Sequence, residues 1–261
     1  MNNYVYGDEK RLFLNSSLGC SGKCTYCYLP DLGLDNSKNI SVFKEAYEII
    51  SMVHNSPKYI EGEKGTIISV GCYSECWDNL NKKQTLRLVQ YFLSKGNPVQ
   101  IATKKRIYAE ELYEIREKIK WDKQFSIFVS IPTISSYIEH EKGTSSPFER
   151  IENFKIEKEL GIPIILYIKP VLNNITVNDI DKYIQIIKYY GISVVVGSLF
   201  NANINSGKIA PIGQGKLYYK NSEQELEIIN QLKKYCSIYR KSTDFINEKR
   251  DEHVFKNISI S

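Results

Sequence analysis

Cys20, Cys24 and Cys27 lie in the run Gly19-Cys20-Ser21-Gly22-Lys23-Cys24-Thr25-Tyr26-Cys27-Tyr28-Leu29, a C-x3-C-x2-C spacing with an aromatic residue just before the third cysteine. Three thiolates this close together can hold three irons of a [4Fe–4S] cube and leave the fourth iron without a protein ligand. An iron with open positions binds substrate or cofactor directly, whereas four cysteines close a site and suit electron storage or structural zinc. Zinc is the competing reading. It calls for a fourth ligand and usually a second C-x2-C-type knuckle, and no second knuckle follows in the chain.

The open corner suits S-adenosylmethionine (SAM), whose amino and carboxylate groups can chelate one iron. An electron from the reduced cluster then breaks a C–S bond and releases a 5′-deoxyadenosyl radical, which takes hydrogen from an unactivated carbon. That chemistry belongs to the cofactors; the protein supplies orientation, electrostatics and exclusion of side reactions. The triplet, its aromatic and its position after an apolar segment resemble the radical SAM superfamily. The resemblance implies a [4Fe–4S] cluster, SAM as cofactor and a partial barrel as scaffold.

The elements that must position this loop alternate along the chain. Apolar, β-branched-rich runs occur at 12–15, 66–70, 99–103, 125–131, 164–168 and 192–196. Helical patterns separate them at 41–54, where Val42, Ala46, Ile49, Ile50 and Val53 recur close to a 3.6-residue period, and at 82–95 and 108–120. The next helix opens with Ser146-Pro147-Phe148-Glu149, a capping box with proline at the first helical position, and Gly161 follows its last turn. The helix over 176–190 ends at Gly191 in the same way, and a final helix is expected near Ser222 with Glu225 at its third position. Six strands each followed by a crossover imply parallel pairing with right-handed connections. Eight such units close a barrel, so six predict an α/β fold of incomplete (β/α)6 TIM-like type, open on one side. Residues 1–200 are expected to form this core, with 201–261 a short helical extension packing on or near it.

In such folds the working groups gather at the carboxyl ends of the strands. The cluster loop leaves the first strand there. The second strand runs into Gly71, Cys72, Ser74 and Glu75, the third into Lys104, the fourth into Ser130, the fifth into Lys169 and Asn173, and the sixth into Ser198. Lys104 and a serine such as Ser130 suit the SAM carboxylate, through a charge-assisted bond and a hydroxyl donor. Ser74 or Glu75 suits its ammonium, Gly71 lets backbone approach the ligand, and Tyr26 can flank the adenine. Blander readings stand beside these: a surface lysine next to Lys105 and Arg106, and serines that satisfy local backbone. Arg150 and Asn173 are candidates for substrate contact, and His54, His140 and His253 stand outside the scheme.

Within the superfamily the chain is most similar to the spore photoproduct lyase family and its photolyase-like relatives. Cys24-Thr25-Tyr26-Cys27-Tyr28-Leu29 matches their C-x-Y-C-Y-L pattern. Thr103-Lys104, Val129-Ser130-Ile131, the stretch Thr144–Ile151, Gly161-Ile162-Pro163 and Lys169-Pro170-Val171 also look like theirs, over about residues 10–200. The resemblance implies that Cys72 gives a hydrogen atom to a substrate radical and is coupled to Tyr26 and Tyr28 beside the cluster. Two other readings of Cys72 stay open: an inert buried thiol, or a ligand of a second cluster with Cys76 and Cys236. The segment after Phe200 departs from the family's pattern. The expected activity is hydrogen abstraction from a substrate that the sequence does not identify, with nucleic acid or nucleotide as one candidate class and Cys72 as hydrogen donor; peptide epimerisation or cross-linking is the alternative. A non-catalytic iron–sulfur sensor is a third class.

Lys and Arg number 35 against 30 Asp and Glu, a net charge of +5 that permits an anionic partner without requiring one. No apolar run approaches the roughly 18 residues that span a bilayer, and the first residues carry no basic segment followed by an apolar stretch, so no secretory signal is read. A cytoplasmic enzyme is expected, with thiols kept reduced for iron. A small ferredoxin or flavodoxin is the expected electron donor.

Overall fold

The computed structural model describes residues 4–32, 34, 43–201, 218–220 and 222–258. Its main sheet has eight strands: β1 (Val5–Gly7), β2 (Arg11–Leu14), β3 (Ile67–Val70), β4 (Val99–Thr103), β5 (Phe125–Ser130), β6 (Ile164–Ile168), β7 (Val194–Val196) and, after a separate two-stranded ribbon of β8 (Leu199–Asn201) and β9 (Tyr218–Lys220), β10 (Ile238–Tyr239). Strands β2 to β7 are neighbours in chain order and all parallel, as six β-crossover units require. The six-stranded core over the expected segments is thus the core observed. Two strands too short for periodicity to reveal extend it. β1 returns antiparallel on β2, across a turn in which Asp8 Oδ1 accepts from Lys10 N and Arg11 N (both 3.0 Å), and β10 adds parallel to β7. The strand order is linear from β1 to β10, and these two end strands do not pair with each other among the described residues.

The helices are α1 (Ala46–His54), α2 (Lys82–Ser94), α3 (Tyr113–Arg116), α4 (Tyr137–His140), α5 (Pro147–Ile151), α6 (Lys155–Leu160), α7 (Ile180–Tyr190), α8 (Glu225–Leu232) and α9 (Ser242–Ile258). In α7 the buried positions Ile180, Tyr183, Ile186 and Ile187 form one stripe against the sheet. The capping box at Ser146 is present, with Ser146 Oγ accepting from Glu149 N, and Gly161 and Gly191 end α6 and α7 at φ +69°. Residues 41 and 42, part of the first expected helix, lie outside the described residues; α1 begins at Ala46, where Glu45 caps. The segment expected as one helix over 108–120 is a 3-10 turn, Ala109–Leu112, followed by the single turn α3. Glu111 tightens it by accepting from Tyr108 N (2.9 Å) and Trp77 Nε1 (3.1 Å). The helix after Ser146 breaks into α5 and α6 around Asn153, whose amide bonds Ile107 N (2.9 Å) and Lys105 O (3.0 Å). The helix near Ser222 starts at Glu225 and is followed by α9, which periodicity had not revealed.

Strand alternation divides the core in two. Leu12, Ile68, Ile101, Ile127, Leu166 and Val194 face the helices. From the opposite face Ile67, Phe128, Ile165 and Val195 point into the barrel, where Tyr239, Phe245 and Ile246 from the C-terminal segment complete an apolar floor. Above that floor the same face carries Ser69, Gln100, Tyr167 and, at the carboxyl ends, Ser130 and Lys169. The interior therefore passes from apolar base to polar mouth.

Candidate active site

β2 delivers the cysteine loop to the mouth, and side chains hold it because it has no regular structure of its own. Gly19 N donates to Tyr73 O and Gly71 N to Leu14 O, both at 2.8 Å. Tyr73 N donates to Asn15 Oδ1 (2.6 Å), and the hydroxyls of Ser16 and Ser17 donate to Asn81 Oδ1 (2.7 and 2.8 Å). The connection from α4 to α5 clamps the other side: Thr25 N donates to His140 O and Gly143 N to Gly22 O, both at 3.0 Å, while Cys24 and Glu141 pair as a bridge. Only glycine serves at 143, since a Cβ there would lie 2.3 Å from Ser21 O.

Cys20, Cys24 and Cys27 line one cavity with Tyr26, Tyr28, Gly71, Cys72, Ser74, Lys104 and Ser130, so the residues nominated for cluster, SAM and hydrogen return face a common space, while Arg150 and Asn173 do not line it. Among the described residues no three His, Cys, Asp or Glu side chains converge as a single metal ion requires. A cube asks for something else: each thiolate takes its own iron, so the ligands ring a volume instead of meeting at a point. Gly22 keeps that volume clear, because a Cβ would fall 3.3 Å from Cys20 Sγ and 3.7 Å from Cys24 Sγ. Burial pushes the Cys20 thiol up to about 12, with Glu75 adding to it. Burial also raises the Cys24 thiol, against the pull of Lys104. Thiolates placed here need a cation beside them, and bound metal supplies one. The donor set fits a cluster held through three cysteines.

Two further groups lack a partner. Ser74 Oγ and Ser130 Oγ are buried, line the cavity and make no hydrogen bond among the described residues. An unsatisfied buried hydroxyl costs about 1–3 kcal/mol, which a ligand with matching polar groups removes. Lys104 lines the same cavity, with its ammonium 5.7 Å from the Tyr26 ring centroid. Its backbone N–H donates to Glu75 Oε2 (2.9 Å), and Glu75 also accepts from Trp77 N (3.1 Å) and Thr103 Oγ1. Glu75 thus sets the end of β4 and is already engaged. Gly71 (φ +86°) lines the cavity, but the space its missing Cβ leaves is filled by Cys76, whose Cβ would be 2.3 Å away.

Behind the wall lies a network that the sequence did not announce. The Tyr26 hydroxyl donates to Glu141 Oε1; Glu141 Oε2 accepts from Arg150 Nη2 (2.7 Å), and Arg150 Nη1 donates to Ser130 O (2.6 Å). Both charged side chains are fully buried. Arg150 is therefore a tie between Tyr26 and Ser130, not the substrate contact suggested for it. Asn173 does not line the cavity, and its side chain accepts from Ser222 Oγ.

Cys72 lines the same cavity. Tyr28 Oη donates to Cys72 O (3.1 Å) and is 3.7 Å from Cys72 Sγ. Burial holds the Tyr28 hydroxyl well above its ordinary value, with Cys72 adding; burial and then Glu141 do the same for Tyr26. Tyr6 stacks between Phe13 and Tyr73 at 4.9 and 4.7 Å, and this aromatic wall packs against Cys20, Cys27, Tyr28 and Cys72. Cys76 is in the main core with its thiol 3.5 Å from Ala102 O, and Cys236 sits beyond α8 with its thiol 3.6 Å from Leu232 O. Neither lines the cavity with Cys72, so these three do not build a second cluster.

Solved structures share this arrangement of strands. Spore photoproduct lyase complexed with dinucleoside spore photoproduct superposes with a TM-score of 0.60 at 15% identity, over 85% of this chain and 74% of that one. The chain has the fold of spore photoproduct lyase. A Cys-to-Ser variant of that lyase gives 0.62 at 14% identity, over 86% of this chain and 74% of that one. Streptococcus suis SuiB bound to S-adenosylmethionine gives 0.54 at 15% identity over 88% of this chain, which spans half of SuiB. Spore photoproduct lyase and SuiB are both radical SAM enzymes. No protein-family model and no curated protein sequence matches the chain. No helix among the described residues is long and apolar enough to cross a membrane.

Proposed function

We propose that the protein is a radical SAM enzyme in which Cys20, Cys24 and Cys27 hold a [4Fe–4S] cluster and Lys104, Ser74 and Ser130 receive SAM. The observation that carries this reading is the pair of unpartnered buried hydroxyls beside Lys104 in the cavity that the three cysteines line. Cluster and SAM together supply a 5′-deoxyadenosyl radical that takes hydrogen from a substrate carbon. The chain's own residues do the rest. Lys104 neutralises the carboxylate of SAM, the two serines bond its polar groups, and Tyr26, fixed through Glu141, flanks the adenine. Gly71 lets its backbone border the ligand. The wall of Tyr6, Phe13 and Tyr73 keeps water from the reacting centre.

In this reading Cys72 returns a hydrogen atom to a substrate radical, and its thiol lining the cavity 3.7 Å from Tyr28 Oη supports that role. The S–H bond breaks, a C–H bond forms, and the unpaired electron stays on sulfur beside the Tyr28 hydroxyl. A thiol S–H bond is weaker than an aliphatic C–H bond, so the transfer runs toward carbon. The substrate class we favour is a nucleic acid or nucleotide, which agrees with the net charge of +5 and with the aromatic rings that border the cavity. A small ferredoxin or flavodoxin supplies the electron, in a reducing compartment such as the cytoplasm.

Anaerobic reconstitution with iron and sulfide, followed by reduction in the presence of SAM, tests the reading. 5′-Deoxyadenosine should form, and Cys72→Ala should still form it while changing the final product. A fully loaded cluster that yields none refutes the activity. Unchanged product from Cys72→Ala refutes the hydrogen-donor role and leaves the cofactor site standing.

A further inference from the structure

We propose that the outer face of the cysteine loop, with Lys82, Lys105 and Arg106 beside it, is the docking surface for the electron donor, a small acidic one-electron carrier protein. The inference rests on the proposed function and names where the electron enters. The loop separates two spaces. Cys20 and Gly22 line the inner cavity with Cys24 and Cys27, whereas Gly19 and Ser21 line a second groove. Alternate residues of one stretch of chain thus face different spaces, so a single layer of backbone lies between the groove and the Cys20 thiol. Ser21, Asn79 and Leu80 line the groove and are exposed, so it opens to solvent.

The groove carries the charge that an acidic partner needs. Lys82, Lys105 and Arg106 line it against one carboxylate among the described residues, Asp78. Lys105 Nζ donates to Gly143 O (2.8 Å) and Arg106 Nη1 to Asn153 Oδ1 (3.0 Å), so the hydrogen-bond partners of both cations are neutral. Lys82 is shared with Glu111 (2.6 Å), and Asp78 Oδ1 accepts from Asn81 N (2.9 Å) and Asn81 Nδ2 (3.0 Å). Lys105 acts on Glu149 from a distance, but that carboxylate accepts from Ser146 N (2.7 Å) and Ser146 Oγ (2.8 Å). The lining stays positive after these pairings. Leu80, 38% exposed, adds an apolar contact.

Position decides which partner fits. In the proposed function SAM and substrate take up the inner side of the loop, which leaves its outer side as the route for an electron. One electron leaves the reduced carrier and enters the cluster by way of the Cys20 segment. The carrier is oxidised by one electron, the cluster is reduced by one, and no atom moves. Redox encounters of this kind bury little surface, below about 1,200 Å², and rely on complementary charge for fast association. A positive surface against the loop supplies that charge. A nucleic acid would also answer to the charge, but hydrogen abstraction puts the substrate on the inner side, where the cysteines and Cys72 share one cavity.

Bacterial flavodoxin is the probe. Isothermal titration reads binding of oxidised flavodoxin to the cluster-loaded full chain, and stopped-flow absorbance without oxygen reads reduction of the cluster by flavodoxin hydroquinone. Both should weaken as salt rises. A series at position 106 should follow charge: Arg106→Lys close to wild type, Arg106→Gln slower by about three- to tenfold at low salt, and Arg106→Glu slower still. Melting curves and iron content establish that each variant is folded and loaded. Dithionite, which needs no docking surface, should reduce all of them at one rate. Flavodoxin that does not bind the wild type overturns the proposal, and so do equal binding and reduction across the folded series. A single-stranded oligonucleotide that displaces flavodoxin with the same dependence on Arg106 also overturns it, by assigning the groove to nucleic acid. Release of 5′-deoxyadenosine by the dithionite-reduced wild type is measured separately, so the docking surface and the radical activity can fail independently.

Discussion

Removing Arg150 should destabilise the protein more than any other single polar deletion around the cavity. The Arg150–Glu141 contact is 2.7 Å with both side chains at zero exposure, and Arg150 also donates to Ser130 O at 2.6 Å. Deleting one partner of a buried ion pair strands the other charge and costs about 3–5 kcal/mol. In a domain of this size 1 kcal/mol moves the melting temperature by roughly 2–4 °C, so Arg150→Ala should lower Tm by roughly 6–20 °C. The stranded group is the Glu141 carboxylate, so adding Glu141→Gln should restore part of the loss. A double-mutant cycle by circular dichroism melts should give a coupling above about 1 kcal/mol. The geometry also ties this network to Tyr26, so the folded double variant should bind SAM less tightly while retaining its cluster. Melting of Arg150→Ala within 2 °C of wild type, or losses that simply add, would refute the argument that the pair is buried and interdependent.

Lys104→Met should leave the cluster absorbance intact and weaken SAM binding by about 10- to 100-fold, the worth of a charge-assisted hydrogen bond; equilibrium dialysis with labelled SAM reads it, and unchanged affinity removes Lys104 from the site. Gly143→Val drives a side chain into Ser21 O, already 2.3 Å from a Cβ, so it should open the clamp, cost about 1–3 kcal/mol and lower iron content per chain; full iron retention would show that the clamp does not hold the loop. Lys169 carries a pH signature. Its folded-state value of about 8 lies below the ordinary 10.5, so the unfolded chain holds the extra proton between these values and stability gained through this group rises with pH across that window. Wild type should therefore gain stability relative to Lys169→Met from pH 8 to 10.5 in urea titrations, and a flat or falling difference contradicts the burial of this amine.

The cysteine spacing, the aromatic within it and the six apolar runs are local facts, and they were enough to predict a cluster loop on a parallel partial barrel. Chain order alone then places strand ends together, which is why Ser74, Lys104 and Ser130 were legible as neighbours of the cysteines before any geometry. What needed the folded chain were relations between side chains far apart in sequence. Nothing near Arg150 or Glu141 signals that they meet Tyr26, because a buried pair is defined by what surrounds it and not by its own residue types. Nothing local to Arg11 marks it as a cavity residue; only the folded sheet brings it to the cavity that Lys169 also lines. The three-residue β1 and two-residue β10 lie below the length at which alternation can be read, and α9 earns its place through Phe245 and Ile246 closing the barrel floor. Short-range pattern determines which elements form and which loop can bind metal, while burial, a property of the whole packing, decides which charges and hydroxyls are left for a ligand to satisfy.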